Sequence, residues 1–374
     1  MRWPPNVSYV RFRGLAFRLG FFLVGISIRS FGMQLLPFTT EGGGFVVGSQ
    51  NISGNGKVVT GYSGLTAFYW SFATGQVALP IAEGGNRWGP CHRLNFDGSI
   101  ITGAGRVING YPMAQAWTWK SGTGVQAIGG MGSGGDFENI GVTPDSSYIV
   151  RKSLSHLTTR VVYRDYPSGL SSLWISGTDF YVYGASGDCR RLYGVAEEPV
   201  SQKELPCYWT ITGQQVFGSI FADLPTCTPR GSDKSGQAIV GELTTALYIP
   251  DYGDAHMAFR WDTTTNQVRY FFPSGFLTTS PTFISPNGNV VQFGGWLDPV
   301  TYKQMIYDFA EPSKGYQNVE DWLIEHNFLK PSDLGRGRDF AITGMSDSMG
   351  TLLGYYTFNQ VDKQFFLASS HGTL

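Results

Sequence analysis

An all-β fold, a single β-propeller, follows from three observations on the chain. Glycine supplies 50 of the 374 residues, nearly double the ordinary share of about 7%. Charged and aromatic residues each stand at 15%, where an ordinary domain is about 25% charged. A short block of turn residues followed by β-branched ones recurs along most of the sequence. The first two observations exclude a disordered chain, which is charge-rich and aromatic-poor, and a coiled coil, which draws about half its residues from Ala, Glu, Lys, Leu and Arg. The third marks a repeat architecture, and units of roughly 40–50 residues with three or four strands each describe propeller blades.

Residues 1–32 differ from the rest. Arg11, Arg13 and Arg18 precede the apolar run from Leu19 to Ile28, which is the layout of the basic and apolar regions of a signal peptide. The run is too short to span a bilayer, which takes about 20 residues. It lacks an Ala-x-Ala-like cleavage site and ends abruptly at Arg29. The segment therefore reads either as an export signal or as an upstream extension with Met33 as the natural start. No other stretch resembles a transmembrane helix. Residues 33–374 form the repeat domain.

The first block of the repeat is clearest at Ile52-Ser-Gly-Asn-Gly-Lys-Val-Val-Thr-Gly61. It recurs at Leu94 to Gly103, Ser232 to Gly241 and Ile284 to Gly294. Degenerate copies lie at Val142 to Val150, Ala185 to Gly194 and Met345 to Gly354. An aromatic block follows each of the first six: Ala67-Phe-Tyr-Trp70, Ala116-Trp-Thr-Trp119, Val161-Val-Tyr163, Cys207-Tyr-Trp209, Ala258-Phe-Arg-Trp261 and Met305-Ile-Tyr307. A turn and an apolar strand come next, as at Thr74 to Leu79 and Thr123 to Ile128. The seventh unit stops at Phe365-Phe-Leu-Ala-Ser369, so its missing strand is assigned to Met33-Gln-Leu-Leu-Pro-Phe38. Seven blades closed by the N-terminal strand are expected, with six or eight as alternatives, and closure leaves no long edge exposed.

Within a unit, Asn-Gly and Asp-Gly suit a type I′ hairpin turn, where glycine adopts positive φ without penalty. The β-branched residues after the turn fit a pleated, half-buried surface. Phe68 and Trp70, like Trp117 and Trp119, are two residues apart and so share a face. One unit cannot bury that face alone, whereas stacked units can. The third and fourth units, about 141–230, have lost several glycines. In the sixth, apolar residues at 319, 322, 323 and 324 predict a short amphipathic helix near 318–327, with Pro331 barring extension.

At this point the chain resembles the bacterial "probable extracellular repeat" proteins of the HAF type. Their pattern is Ile-Ser-x-Asp-Gly-x-x-Val-x-Gly, then Ala-Phe-x-Trp, then Gly and a Leu-containing strand. The tripeptide positions here read Thr66-Ala-Phe68, Gln115-Ala-Trp117 and Met257-Ala-Phe259, so the leading His is not kept. The likeness spans roughly 33–369 and is strongest in units one, two and five. It implies a secreted or surface propeller-like array and carries over no catalytic residue.

Motifs of known chemistry are few. Gly103 to Gly110 has the wrong spacing for a phosphate loop and no following helix. Gly129 to Gly135 reads as an inter-blade loop. No Walker, H-E-x-x-H or G-x-S-x-G motif is present. His92, His156, His256, His326 and His371 show no helical i,i+4 pair, so no metal site and no cofactor are expected. Asp97, Asp145, Asp188, Asp233 and Asp347 recur near the turns, which favours local hydrogen bonding over acid–base work. Cys91, Cys189, Cys207 and Cys227 form no C-x-x-C pair. A Cys207–Cys227 bridge would suit an exported protein; buried thiols are the alternative. Trp70, Trp119, Trp209 and Trp261 keep the repeat register and belong to the core. Trp88, Trp174, Trp296 and Trp322 do not, and are the candidate exposed platforms for sugar rings or partner side chains.

A net charge of −1 supplies no field for nucleic acid or acidic lipid. The expectation is a monomeric, non-enzymatic, exported binding or display module with a protein or glycan ligand. Its rivals are a propeller hydrolase or lyase acting on surface polysaccharide and an intracellular interaction scaffold starting at Met33.

Overall fold

The computed structural model describes residues 32–39, 51–63, 66–79, 91–106, 114–128, 136–147, 149–155, 158–165, 171–176, 180–222, 224, 226–249, 253–298, 300–334, 339–358 and 362–370. The signal-like segment up to residue 31, Trp88, the run 129–135, His156 and His371 lie outside them, as do residues 107–110 of the phosphate-loop lookalike.

Strand β1 (Gly32–Thr39) comes first. The first unit then contributes β2 (Val58–Ser63), β3 (Thr66–Ser71) and β4 (Gly75–Ala78). The second has β5 (Cys91–Leu94), β6 (Ile100–Arg106), β7 (Ala114–Lys120) and β8 (Gly124–Ile128). The third has β9 (Asp136–Val142), β10 (Ile149–Ser155), β11 (Thr158–Asp165) and β12 (Ser171–Ser176). The fourth has β13 (Phe180–Ala185), β14 (Arg191–Glu197), β15 (Glu204–Thr210) and β16 (Gln215–Phe217). The fifth has β17 (Cys227–Ser232), β18 (Ala238–Ile249), β19 (Gly253–Asp262) and β20 (Gln267–Phe271). The sixth has β21 (Thr278–Ile284), β22 (Val290–Trp296), β23 (Tyr302–Asp308), β24 (Tyr316–Asn318) and helix α1 (Val319–Glu325). The last has β25 (Asp339–Met345), β26 (Thr351–Phe358) and β27 (Asp362–Ser369).

These strands make seven antiparallel sheets arranged as a β-propeller, the first six each a meander of one unit. The first sheet has three described strands, and Ile52 bridges singly to Val59 where the other units have a full inner strand. The seventh sheet runs β1-β27-β26-β25, so the N-terminal strand supplies its outer member. Its register pairs Met33 with Ala368 and Leu35 with Phe366. This is the closure expected from the missing strand of the seventh unit.

The core lies between blades. Leu36, Val59, Phe68 and Trp70 pack against Leu353, Phe365 and Leu367, which sews the first unit to the last. Tyr193 and Tyr208 of the fourth blade meet Ile239, Phe259 and Trp261 of the fifth. Each such fully buried apolar side chain contributes about 1.5–3 kcal/mol. The paired aromatics share a face as expected: Phe68 and Trp70 fall in one cluster, Trp117 and Trp119 in another.

The glycines that end the fifth and seventh turn blocks share a packing reason. A Cβ on Gly241 would stand 2.4 Å from the Thr228 carbonyl oxygen, and one on Gly354 would stand 2.7 Å from that of Ala341. Both lie opposite register shifts in the neighbouring inner strand, where a β-bulge drives the carbonyl toward the partner.

Helix α1 falls inside the expected range 318–327. Val319, Trp322 and Leu323 are buried, Ile324 partly so, and Glu320 and Asp321 occupy the first turn, where acidic groups favour the helix. Cys207 is a buried free thiol, so it is not bridged to Cys227. Burial pushes the Cys207 thiol up to about 12.

Candidate functional site

The seven A–B turns, which join the first and second strands of each unit, share one construction. Six positions run Ser53–Val58, Asn95–Ile100, Ser186–Arg191, Asp233–Ala238, Ser285–Val290 and Ser346–Thr351, and the third copy is described over its first five, Thr143–Ser147. The backbone N–H of position four donates to the carbonyl of position one throughout, as in Gly56 to Ser53 and Met349 to Ser346, both 2.8 Å. Position four has φ between 55° and 76° in every copy: Gly56, Gly98, Ser146, Cys189, Gly236, Gly288 and Met349. Only that residue of the turn is left-handed, which corrects the type I′ expectation, since I′ demands two such residues. The degenerate copies therefore hold Ser, Cys or Met at positive φ, where L side chains are uncommon.

Side chains complete each turn. Position one accepts from the N–H of position six: Val58 to Ser53 Oγ (3.0 Å), Ile100 to Asn95 Oδ1 (3.0 Å) and Val290 to Ser285 Oγ (2.9 Å). Position three accepts from the N–H of position five: Ser99 to Asp97 (2.9 Å), Ser147 to Asp145 (3.0 Å) and Arg190 to Asp188 (2.9 Å). Hydrogen bonds from Ser99 hold the Asp97 carboxyl below its usual range, and those from Ser147 do the same for Asp145. The Asx role expected for these three aspartates is what they perform. Asp233 and Asp347 depart from the expected common place. Asp233 stands at position one, accepting from the Ala238 N–H (3.2 Å), and Asp347 stands at position two.

Position two builds the site. Backbone bonds run from blade to blade through it: Asn55 N–H to Phe96 O (2.8 Å), Phe96 N–H to Pro144 O (3.1 Å), Lys234 N–H to Pro286 O (2.9 Å) and Asp347 N–H to Gly54 O (2.8 Å). All seven position-two residues, Gly54, Phe96, Pro144, Gly187, Lys234, Pro286 and Asp347, line one cavity of about 40 Å³ on the ring axis. That volume holds a few waters at most. Lys234 Nζ donates to Asp347 Oδ2 at 2.7 Å, joining the fifth blade to the seventh, and the Phe96 ring is 46% exposed at the rim. The frame of the turn is fixed while position two varies, so the chemistry of this mouth is set there. It can offer an apolar ring and a paired cation and anion to a partner lying across it.

Three of the four tryptophans proposed as platforms are described, and they are not brought together. Trp322 is 1% exposed in the core between the sixth and seventh blades, its Nε1–H donating to Asp308 Oδ2 at 3.1 Å. Trp174 is buried and donates to the Thr210 carbonyl at 2.7 Å. Both are corrections: falling outside the repeat register does not place an indole on the surface when an inter-blade gap needs filling. Trp296 is partly exposed, edge-on to Tyr302 at 5.1 Å. Trp88 lies outside the described residues.

Two further features bear on chemistry. Glu242 accepts from Arg230 and from Ser280 of the next blade. Burial pushes its carboxyl up, but those bonds outweigh it and hold the group below its usual range. Asp308, Glu311 and His326 form a cluster of metal-ligand type, their ligand atoms within 4.8 Å of one another. Sequence spacing expected none, because His326 reaches the pair only through the fold of α1.

No protein-family model matches the chain, and no curated protein sequence matches it. An oligogalacturonate lyase in complex with manganese superposes with a TM-score of 0.55 at 10% identity, over 91% of this chain and 96% of the lyase. Oligogalacturonate lyase from Vibrio parahaemolyticus gives 0.54 at 12% identity, over 87% and 90%. A chain of the mitotic checkpoint complex gives 0.50 at 10% identity, over 98% and 96%. Likeness at such identity shows the propeller fold, and function does not follow from fold.

Proposed function

We propose that the protein is a non-enzymatic, exported β-propeller that serves as a binding or display module at the cell surface. The observation that carries this reading is the construction of the axis mouth. Among the described residues, Asp97, Asp145, Asp188 and Asp233 hold turns, and the Asp347 carboxylate is paired with Lys234. What the mouth offers is a surface: the exposed Phe96 ring beside Lys234 and Asp347. Aromatic and charged groups side by side on a rigid frame suit recognition of a protein or glycan. Export and membership of the HAF-type extracellular repeat proteins are part of the proposal. They are supported by the recurring turn and aromatic blocks and by the basic and apolar layout of residues 11–28.

The test is a screen of surface glycans and exported proteins for saturable binding to the full chain, with the ligand recovered and weighed by mass spectrometry. The proposal expects binding that Phe96→Ala weakens, with the ligand returned intact. Cleaved glycan would establish a propeller hydrolase or lyase instead.

A further inference from the structure

We propose that Asp308, Glu311 and His326 form a binding site for a divalent transition-metal ion of the zinc class, on the flank of the sixth blade. Asp308 ends β23, and the Glu311 N–H closes a turn on the Asp308 carbonyl at 3.2 Å, so both carboxylates sit on one bend. His326 caps the C-terminus of α1 and is carried to them by that helix. His326 Nε2 lies 3.7 Å from Asp308 Oδ2 and 3.9 Å from Glu311 Oε2. These separations exceed a hydrogen bond and are close to the edge of about 3.4 Å of a tetrahedron with bonds of about 2.1 Å.

The surroundings fix each donor. His326 Nδ1 lies 2.9 Å from the Trp322 carbonyl oxygen, which can only accept, so Nδ1 carries the proton. In neutral imidazole Nε2 then presents its lone pair toward two carboxylates. That arrangement is repulsive unless a proton on Nε2 or a metal cation stands between them. The bond from Nδ1–H to a carbonyl is also the outer-shell contact that orients metal-bound histidines. Asp308 is held from behind by the Trp322 Nε1–H (3.1 Å) and the Ala310 N–H (2.8 Å). The His326 ring stacks on Trp322 with centroids 4.2 Å apart.

Charge points the same way. Lys314 donates to Glu311 Oε2 at 2.6 Å and also to Glu325. Three carboxylates, one ammonium and a neutral imidazole leave two negative charges, which a dication neutralises. One nitrogen and two carboxylate donors select zinc or its neighbours over calcium and magnesium, which take all-oxygen sets. Glu311 and His326 are partly exposed, so an ion has a path in and water completes its coordination.

The experiment is calorimetric titration of the full chain with Zn²⁺ after treatment with chelator, repeated with Co²⁺ and read by visible absorption. The proposal expects one saturable site with tetrahedral cobalt bands. His326→Gln and Glu311→Gln, folded as judged by circular dichroism, should each weaken binding by at least the about 10–100-fold that loss of an outer-shell partner costs. Lys314→Met should tighten it by removing the competing cation. Absence of saturable binding by the unsubstituted protein, or equal affinity in all four proteins, overturns the proposal.

Discussion

Lys234 Nζ meets Asp347 Oδ2 at 2.7 Å across the propeller axis, although 113 positions separate the two residues in the chain. Each stands at the second position of its own turn, so two copies of one repeat element have acquired opposite charges that meet at the centre. Lys234 is substantially exposed and Asp347 less so, which keeps the energy of the pair modest. A double-mutant cycle with Lys234→Ala and Asp347→Ala should return a coupling of about 0.2–1 kcal/mol that falls with added salt. Urea unfolding at two ionic strengths measures it.

The turn frame should matter more than the pair it carries. Ser285 is fully buried and its Oγ accepts from the Val290 N–H at 2.9 Å. Ser285→Ala leaves that buried donor unpaired and should cost about 1–3 kcal/mol. Asn287, at the exposed third position, accepts from the Asn289 N–H at 3.0 Å. Water can replace it, so Asn287→Ala should cost less, and chemical denaturation of the two variants ranks them.

Ring closure gives a paired comparison on adjacent residues. Leu36 is 2% exposed in the seam between the first and last units, whereas Leu35 on the same strand is 46% exposed. Leu36→Ala should destabilise by about 2–5 kcal/mol, and Leu35→Ala should stay within about 0.5 kcal/mol of the parent. Thermal unfolding of both decides whether β1 closes the propeller in solution.

Asp233 supplies a pH-dependent prediction. Burial, its largest influence, raises the carboxyl above the ordinary value of 3.8. Protonation therefore favours the folded state, and that contribution is lost as pH rises through the raised folded value. Asp233→Asn keeps an acceptor for the Ala238 N–H without the buried charge. It should be more stable than the parent at pH 7, with the advantage shrinking as pH falls toward 3.8 and absent below it. Urea midpoints of both proteins across that range provide the check.

Much of the architecture was legible because it is carried by local, repeated chemistry. The Asn-Gly and Asp-Gly turns, the alternating Phe68 and Trp70, and the strand missing after Ser369 each point to one feature of the ring. The turn type was misread because a pair such as Asn55-Gly56 suits type I′ in isolation. Here side-chain acceptors at positions one and three stabilise a longer turn needing a single left-handed residue. Trp322 shows a second limit: its place among the apolar positions of α1 already turned it inward, and that outweighs its departure from the repeat register. The mouth and the Asp308–Glu311–His326 cluster were hidden for a different reason. Both assemble residues from separate elements, and no spacing along the chain announces such meetings.

The most direct test of the central claim is subcellular fractionation of the producing cell with intact-mass measurement of the recovered protein. The account predicts a form outside the cytoplasm, trimmed within or just after the signal-like segment 1–32. A cytoplasmic form that keeps residue 1, or one that begins at Met33, would contradict it and turn the search toward intracellular partners.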